Sequence, residues 1–197
     1  IDHLSDVRTL VQLRAKVSLL SDAANSKLRH FSRGPEPEVA EAKLPNAQKA
    51  LRDHQARMKR REAATARTGT ALPIDDLCER LDLKPLDRTI MLLAALTALD
   101  LSIEDDFHTI CDSTGSTLTV MAVLVFMELS LPEQLEARAH FRADAPLRAR
   151  DLITLGLGRR ASAPEDLLRA DISLTPQALA LIDGPFSPWK VRAAAPL

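Results

Sequence analysis

The stretch from 81 to 101, LDLKPLDRTIMLLAALTALDL, constrains this chain more than any other. Pro85 suits a first helical turn, where a missing N–H leaves no bond unmade. Asp87 puts negative charge into that turn, where the helix dipole favours it. The run Ile90-Met91-Leu92-Leu93-Ala94-Ala95-Leu96 is apolar around nearly the whole helix. A helix of that kind belongs in the middle of a core. It is too short to cross a bilayer, which takes about 20 apolar residues. The rest of the sequence must therefore supply its packing partners.

Length and composition describe those partners. A chain of 197 residues can form one domain or two small ones. It is 46% hydrophobic but only 3% aromatic, with no Tyr and one Trp, so the core is built from Leu, Ala, Val and Ile. Abundant Ala and Leu with few glycines predict a mainly α protein. The net charge of −1 exerts no global pull on nucleic acid or anionic lipid. That average hides a segregation. Residues 1 to 72 hold 14 Lys/Arg against 8 Asp/Glu, a net +6; residues 73 to 197 hold 12 against 19, a net −7. Cys78 and Cys111 lack the spacing of a metal or redox motif and read as two buried thiols in a reducing cytoplasm. No secretory leader and no transmembrane run is visible. The chain begins at Ile1 and not Met, as a fragment or processed product would.

The organisation divides at about residue 71. Residues 1–70 predict a helical hairpin, coiled-coil-like, with a basic end. Its first helix covers 2–31, with Leu10, Leu13, Val17 and Leu20 at heptad spacing. Gly34, Pro35, Pro37 and Pro45 make 32–45 a loop. Its second helix covers 46–67, capped by Asn46 and carrying the thin apolar face Ala47, Ala50, Leu51, His54 and Met58. Residues 72–184 predict a second domain, and 185–197 a Pro-rich tail containing Trp189. Helices are expected over 73–83, 85–99, 102–111, 118–129 and 131–142. Two strands follow, 147–155 and 166–174, joined by a Gly/Arg/Ser/Pro loop, and a last short helix covers 177–182. Helices followed by one β-hairpin is the element order of a winged helix, the hairpin being the wing. A plain helical bundle with an extended loop is the competing architecture.

The segment LCERLDLKPLDRTIMLLAALTALDLS resembles L…F.LSPFERDVLLLALAPELD in the N-terminal regions of a bacterial family of AAA-type ATPases. STLTVMAVLVFMEL is similar to that family's PTVDLALRLL, and Ala145 to Leu155 to its first wing strand, APLLRHGLLRL. The likeness covers about 72–183; residues 1–67 share only the basic helical hairpin that commonly precedes the family's winged helix. Some members are similar to ATPases encoded with phage-tail-like contractile injection systems. The resemblance implies a variant winged-helix domain ahead of an AAA module, with ATP and Mg bound by the parent protein, a protein partner or substrate, and oligomers formed through the missing module. The chain departs from the full-length family in having no G-x-x-x-x-G-K-[ST] loop, so it has no cradle for a nucleotide's phosphates. Gly156-Leu157-Gly158-Arg159-Arg160 lacks the Lys-Ser/Thr pair and reads as a wing tip.

No catalytic, cofactor or metal constellation stands out. Glu104-Asp105-Asp106 with His108 sets Glu104 and His108 on one helix face, but a metal needs three or four ligands. A solvated acidic face is the plainer reading. The histidines His3, His30, His54, His108 and His140 share no spacing, and no G-x-S-x-G marks a nucleophile. The candidate interaction surface is basic: Arg57, Lys59, Arg60 and Arg61 on the hairpin, Arg159 and Arg160 on the wing. Such cations can meet phosphates or an acidic protein surface, or merely complement the C-terminus of their own helix. A winged helix also raises a second reading, a DNA-binding regulator. Against it, the helix over 118–129 offers no Arg, Lys, Asn or Gln to read base edges, and that over 131–142 sets Glu133 and Glu136 beside Arg138 and Arg142.

Overall fold

The computed structural model describes residues 2–25, 35–68, 73–100, 102–111, 118–156 and 164–183. Two long helices come first, α1 (Asp2–Asn25) and α2 (Pro37–Thr68). Then follow α3 (Pro73–Arg80), α4 (Pro85–Leu99), α5 (Ile103–Cys111), α6 (Val120–Phe126) and α7 (Leu131–Ala137). A 3-10 turn, Arg138–Phe141, leads to the single turn α8 (Pro146–Ala149) and to strand β1 (Ile153–Gly156). A second 3-10 turn, Pro164–Arg169, precedes β2 (Asp171–Leu174), and α9 (Pro176–Asp183) follows it. Helices plus one antiparallel hairpin are the expected fold class.

The central helix sits where its sequence requires. Asp87 accepts a hydrogen bond from the Lys84 backbone N–H at 3.0 Å, closing the first turn of α4. Every residue from Ile90 to Thr97 is buried. Full burial of each large side chain among them contributes about 1.5–3 kcal/mol. Around α4 lie Leu77 and Cys78 of α3, Ile103 and Phe107 of α5, Val123 and Leu124 of α6, Phe141, Leu147, and Ile172 of β2. Val7 and Val11 of α1 belong to the same core.

Strand β2 is the middle of a small antiparallel arrangement. On one side it pairs with β1, in the register Ile153↔Leu174 to Gly156↔Asp171. On the other, Asp171 forms an isolated bridge with Thr119. There the Val120 N–H donates to the Ala170 carbonyl and the Ile172 N–H to the Leu118 carbonyl, at 3.1 and 2.7 Å. A helix from 118 to 129 is therefore too long at both ends. Leu118 is a buried, extended residue. Thr119 is the N-cap, its hydroxyl accepting the Ala122 N–H at 3.1 Å, and the helix stops at Phe126.

Other boundaries also differ from expectation. The loop proposed for 32–45 is helical from Pro37 onward, with Pro45 inside α2. A proline there leaves the carbonyl four residues earlier without its partner. Pro45 and Glu41 both face solvent, so the freed carbonyl is open to hydration. Meanwhile Ala40 and Ala47 bury themselves against Leu20 and Ala23 of α1, which holds the helix through the defect. In α1 the stripe expected from Leu10, Leu13, Val17 and Leu20, widened by Leu4, Val7 and Val11, is centred on Val7, Val11, Ala15 and Leu20, which are buried, while Leu10, Leu13 and Val17 are half-buried. The cause is that α1 packs on α2 and on α5 together, so its apolar stripe serves two neighbours inside the chain. The strand proposed for 147–155 shrinks to Ile153–Gly156 because Pro146 opens α8. Asp151 then reverses the chain at φ 53°, with the Leu152 N–H closing back to the Leu147 carbonyl at 2.8 Å. The strand proposed for 166–174 loses its first half to the 3-10 turn, yet Ala170 and Ile172 keep the inward face. The helix proposed for 131–142 tightens to 3-10 geometry after Ala137.

Candidate functional site

The segment from α6 to α7 is a helix-turn-helix, and the hairpin after it is the wing. Glu128 carries the turn at φ 53°. Ser130 starts α7: its hydroxyl and its N–H both donate to the Glu133 carboxylate, at 2.6 and 2.8 Å. These two bonds hold the Glu133 carboxyl below the usual carboxylate range. In a DNA-reading motif the second helix enters the major groove with polar and basic side chains. Here α7 presents Leu131 and Leu135, 67% and 55% exposed, together with Glu133 and Glu136. An outward face of leucine and glutamate repels phosphate and offers apolar area to a protein. On α6, Met121 and Val125 are also partly exposed. Arg14 of α1 braces the turn from behind, its guanidinium 4.4 Å from the centre of the Phe126 ring and 3.7 Å from Glu128.

The basic end of α2 is less uniform than its sequence. Arg61 is taken by Asp6 of α1, in a two-pronged contact at 2.8 Å. Arg57 turns to His54, donating to its Nδ1 at 3.3 Å. His54 is buried, and its Nε2 lies 2.8 Å from the Asp6 carbonyl. Arginine can only donate, so the neutral ring carries its proton on Nε2 and donates to Asp6. Two of the four basic candidates therefore serve the hairpin. Lys59 and Arg60 stay on the outer surface, Arg60 donating to the Ala56 carbonyl of its own helix. Arg159 and Arg160 lie outside the described residues.

The structure also makes a pairing that no sequence spacing announced. Asp87, 1% exposed, receives Nδ1 of His140 at 2.6 Å, 53 residues away along the chain. The pair lies in a cleft of about 220 Å³ whose charged lining is Asp82, Lys84, Asp87, His140, Arg142 and Asp144. Among the described residues no hydroxyl or thiol lines it. The pair ties the first turn of α4 to the 3-10 turn that follows α7. Asp87 alone was legible, as a first-turn acid; nothing in the sequence pointed from it to His140.

The remaining chemistry is structural. Among the described residues no three His, Cys, Asp or Glu side chains gather as a metal site. In the acidic cluster, burial and the neighbouring Asp105 raise the Asp106 carboxyl. Cys78 is buried, and desolvation pushes its thiol upward, away from the reactive thiolate. Gly156 ends a strand and pairs with Asp171 across the hairpin. Among the described residues no helix is long and apolar enough to cross a membrane.

Comparison with known proteins agrees with this architecture. The model of a family described as "Winged helix domain, variant" matches residues 1–184. No curated protein and no solved structure matches the chain.

Proposed function

The chain belongs to the variant winged helix domain family, and from that premise we propose that it is a protein-docking module and not a reader of DNA. The observation that carries this is the outward face of α7, where Leu131, Glu133, Leu135 and Glu136 occupy the place of a base-reading surface. A duplex would meet two carboxylates and two leucines there, with no donor for a guanine or adenine edge. A protein partner would bury the leucines, each contributing about 1.5–3 kcal/mol when fully covered.

Taken with the resemblance of residues 72–183, the module is the non-catalytic N-terminal region of a bacterial, cytoplasmic AAA-type ATPase. It recognises a partner or substrate, or helps assemble the ring, while ATP and Mg are handled by a module outside this chain. The lack of a phosphate-binding loop in the sequence supports that division of labour. The test is direct. The purified chain is expected to bind neither an ATP analogue nor short duplex DNA at low salt, by fluorescence anisotropy. Nucleotide affinity or ATP turnover in the chain would overturn the placement of the chemistry. Salt-dependent duplex binding that survives Glu136→Ala but is lost on replacing Arg159 and Arg160 by Ala would establish the DNA-binding regulator instead.

A further inference from the structure

The outer face of α2 carries a pattern that the hairpin does not use. Lys49, Arg52, Ala56, Lys59, Arg60, Ala63 and Arg67 fall within about 100° of arc on an ideal helix of 3.6 residues per turn. All are exposed. The stripe runs about 27 Å at 1.5 Å per residue. No ion pair joins Lys49, Arg52, Lys59, Arg60 or Arg67 to another described residue. Ala56 and Ala63 lie among the cations on the same exposed face.

The opposite surface exists on the same molecule. On α7, Leu131 and Leu135 stand one turn apart, flanked by Glu133 and Glu136, with the exposed Glu128 in the turn before them. The exposed Glu136 and the neighbouring carboxylates of this face are opposite in charge to the α2 cations, and the two leucines add apolar area beside them. Within one chain the two surfaces do not meet, because α2 packs on α1, and α1 in turn lies against α5 and α4. The segregation of charge, +6 before residue 73 and −7 after it, has the same direction.

We propose that the cationic stripe of α2 docks on the α7 face of a second copy of this chain, so that copies associate head to tail. This rests on α7 being a protein-docking face and names its occupant. The contact is heterologous: each copy uses one surface and leaves the other free, so association continues into a ring or an open chain. A small, charge-flanked contact of this kind is weak and screened by salt.

Sedimentation equilibrium of the full chain tests it. The mass is expected to rise above the monomer with concentration at about 0.05 M salt and return to the monomer at about 0.5 M. Lys59→Glu with Arg60→Glu should abolish association, and so should Leu135→Lys with Glu136→Lys, which spares the Glu133 cap. Mixing the two variants in equal amounts should restore association, since each then offers the charge the other lacks. That rescue also shows that both variants are folded. A wild-type chain that stays monomeric at low salt overturns the inference, as does association indifferent to both charge swaps. Low-salt DNA binding lost in the α2 variant and kept in the α7 variant would assign the stripe to nucleic acid, and so overturn it too. A monomer that also ignores DNA would leave the docking role of α7 standing and remove only its occupant.

Discussion

Asp87 shows how much one buried carboxylate can decide. It closes the first turn of α4 with one oxygen and holds His140 with the other, and it has almost no contact with solvent. Breaking such a pair leaves one buried polar group without its partner, at a cost of about 3–5 kcal/mol. Asp87→Leu and His140→Leu are each expected in that range by urea denaturation, and the double variant should cost clearly less than the sum of the two. The left-handed residues make the opposite prediction. Asp151 sits at φ 53°, a conformation that costs a non-glycine residue about 1–2 kcal/mol. Asp151→Gly should therefore stabilise the chain by up to about 1 kcal/mol, since glycine also loses more freedom on folding. The contrast marks what was legible. First-turn chemistry is local, so Asp87 could be read from Pro85 and the apolar run. Its tie to His140 depends on where the 3-10 turn after α7 brings the chain back to α4, and no spacing encodes that.

At the level of elements, Pro45 is the clearest conflict between local rule and outcome. Pro45→Ala should restore the missing bond, with a gain of about 2–3 kcal/mol in thermal or chemical unfolding. The proline dictated a loop by propensity; burial of Ala40 and Ala47 against α1 overrode it. The start of α6 failed to be read for a related reason. Leu118 and Val120 are apolar in any secondary structure, and only the bridge to β2 reveals that Thr119 ends a strand and begins a helix. Helix α7 carries the pH prediction. The Glu133 carboxyl lies below its ordinary value because Ser130 donates two hydrogen bonds to the charged form. Its contribution is thus complete above the usual carboxylate range and is lost as pH falls through the lowered value. Glu133→Gln should remove that part of the acid sensitivity, measurable as a flatter dependence of melting temperature on pH.

Across the whole molecule, the core joins the hairpin to the winged helix. Val11 of α1 is fully buried in the cluster that surrounds α4. Val11→Ala should cost about 2 kcal/mol, and the loss is expected to appear in the same transition by which the winged helix unfolds. Wide amphipathic helices and an all-apolar central helix made that general fold visible in the sequence. The candidate surfaces were legible only as charge, because exposure depends on which cations the hairpin takes for itself, as Arg61 and Arg57 show.

The position of β2 has a consequence for how the chain comes to exist. Its neighbours are Thr119 on one edge and β1 on the other, and both precede it in sequence. A nascent chain made as far as Arg169 already holds α4, α6 and α7, yet Leu118 has nothing to pair with and β1 is an open edge. Closing a loop of that span is slow compared with forming helices. The strand made last is thus the one that locks the arrangement, and a chain truncated before residue 171 would lose at once the partner of β1 and the bridge to Thr119.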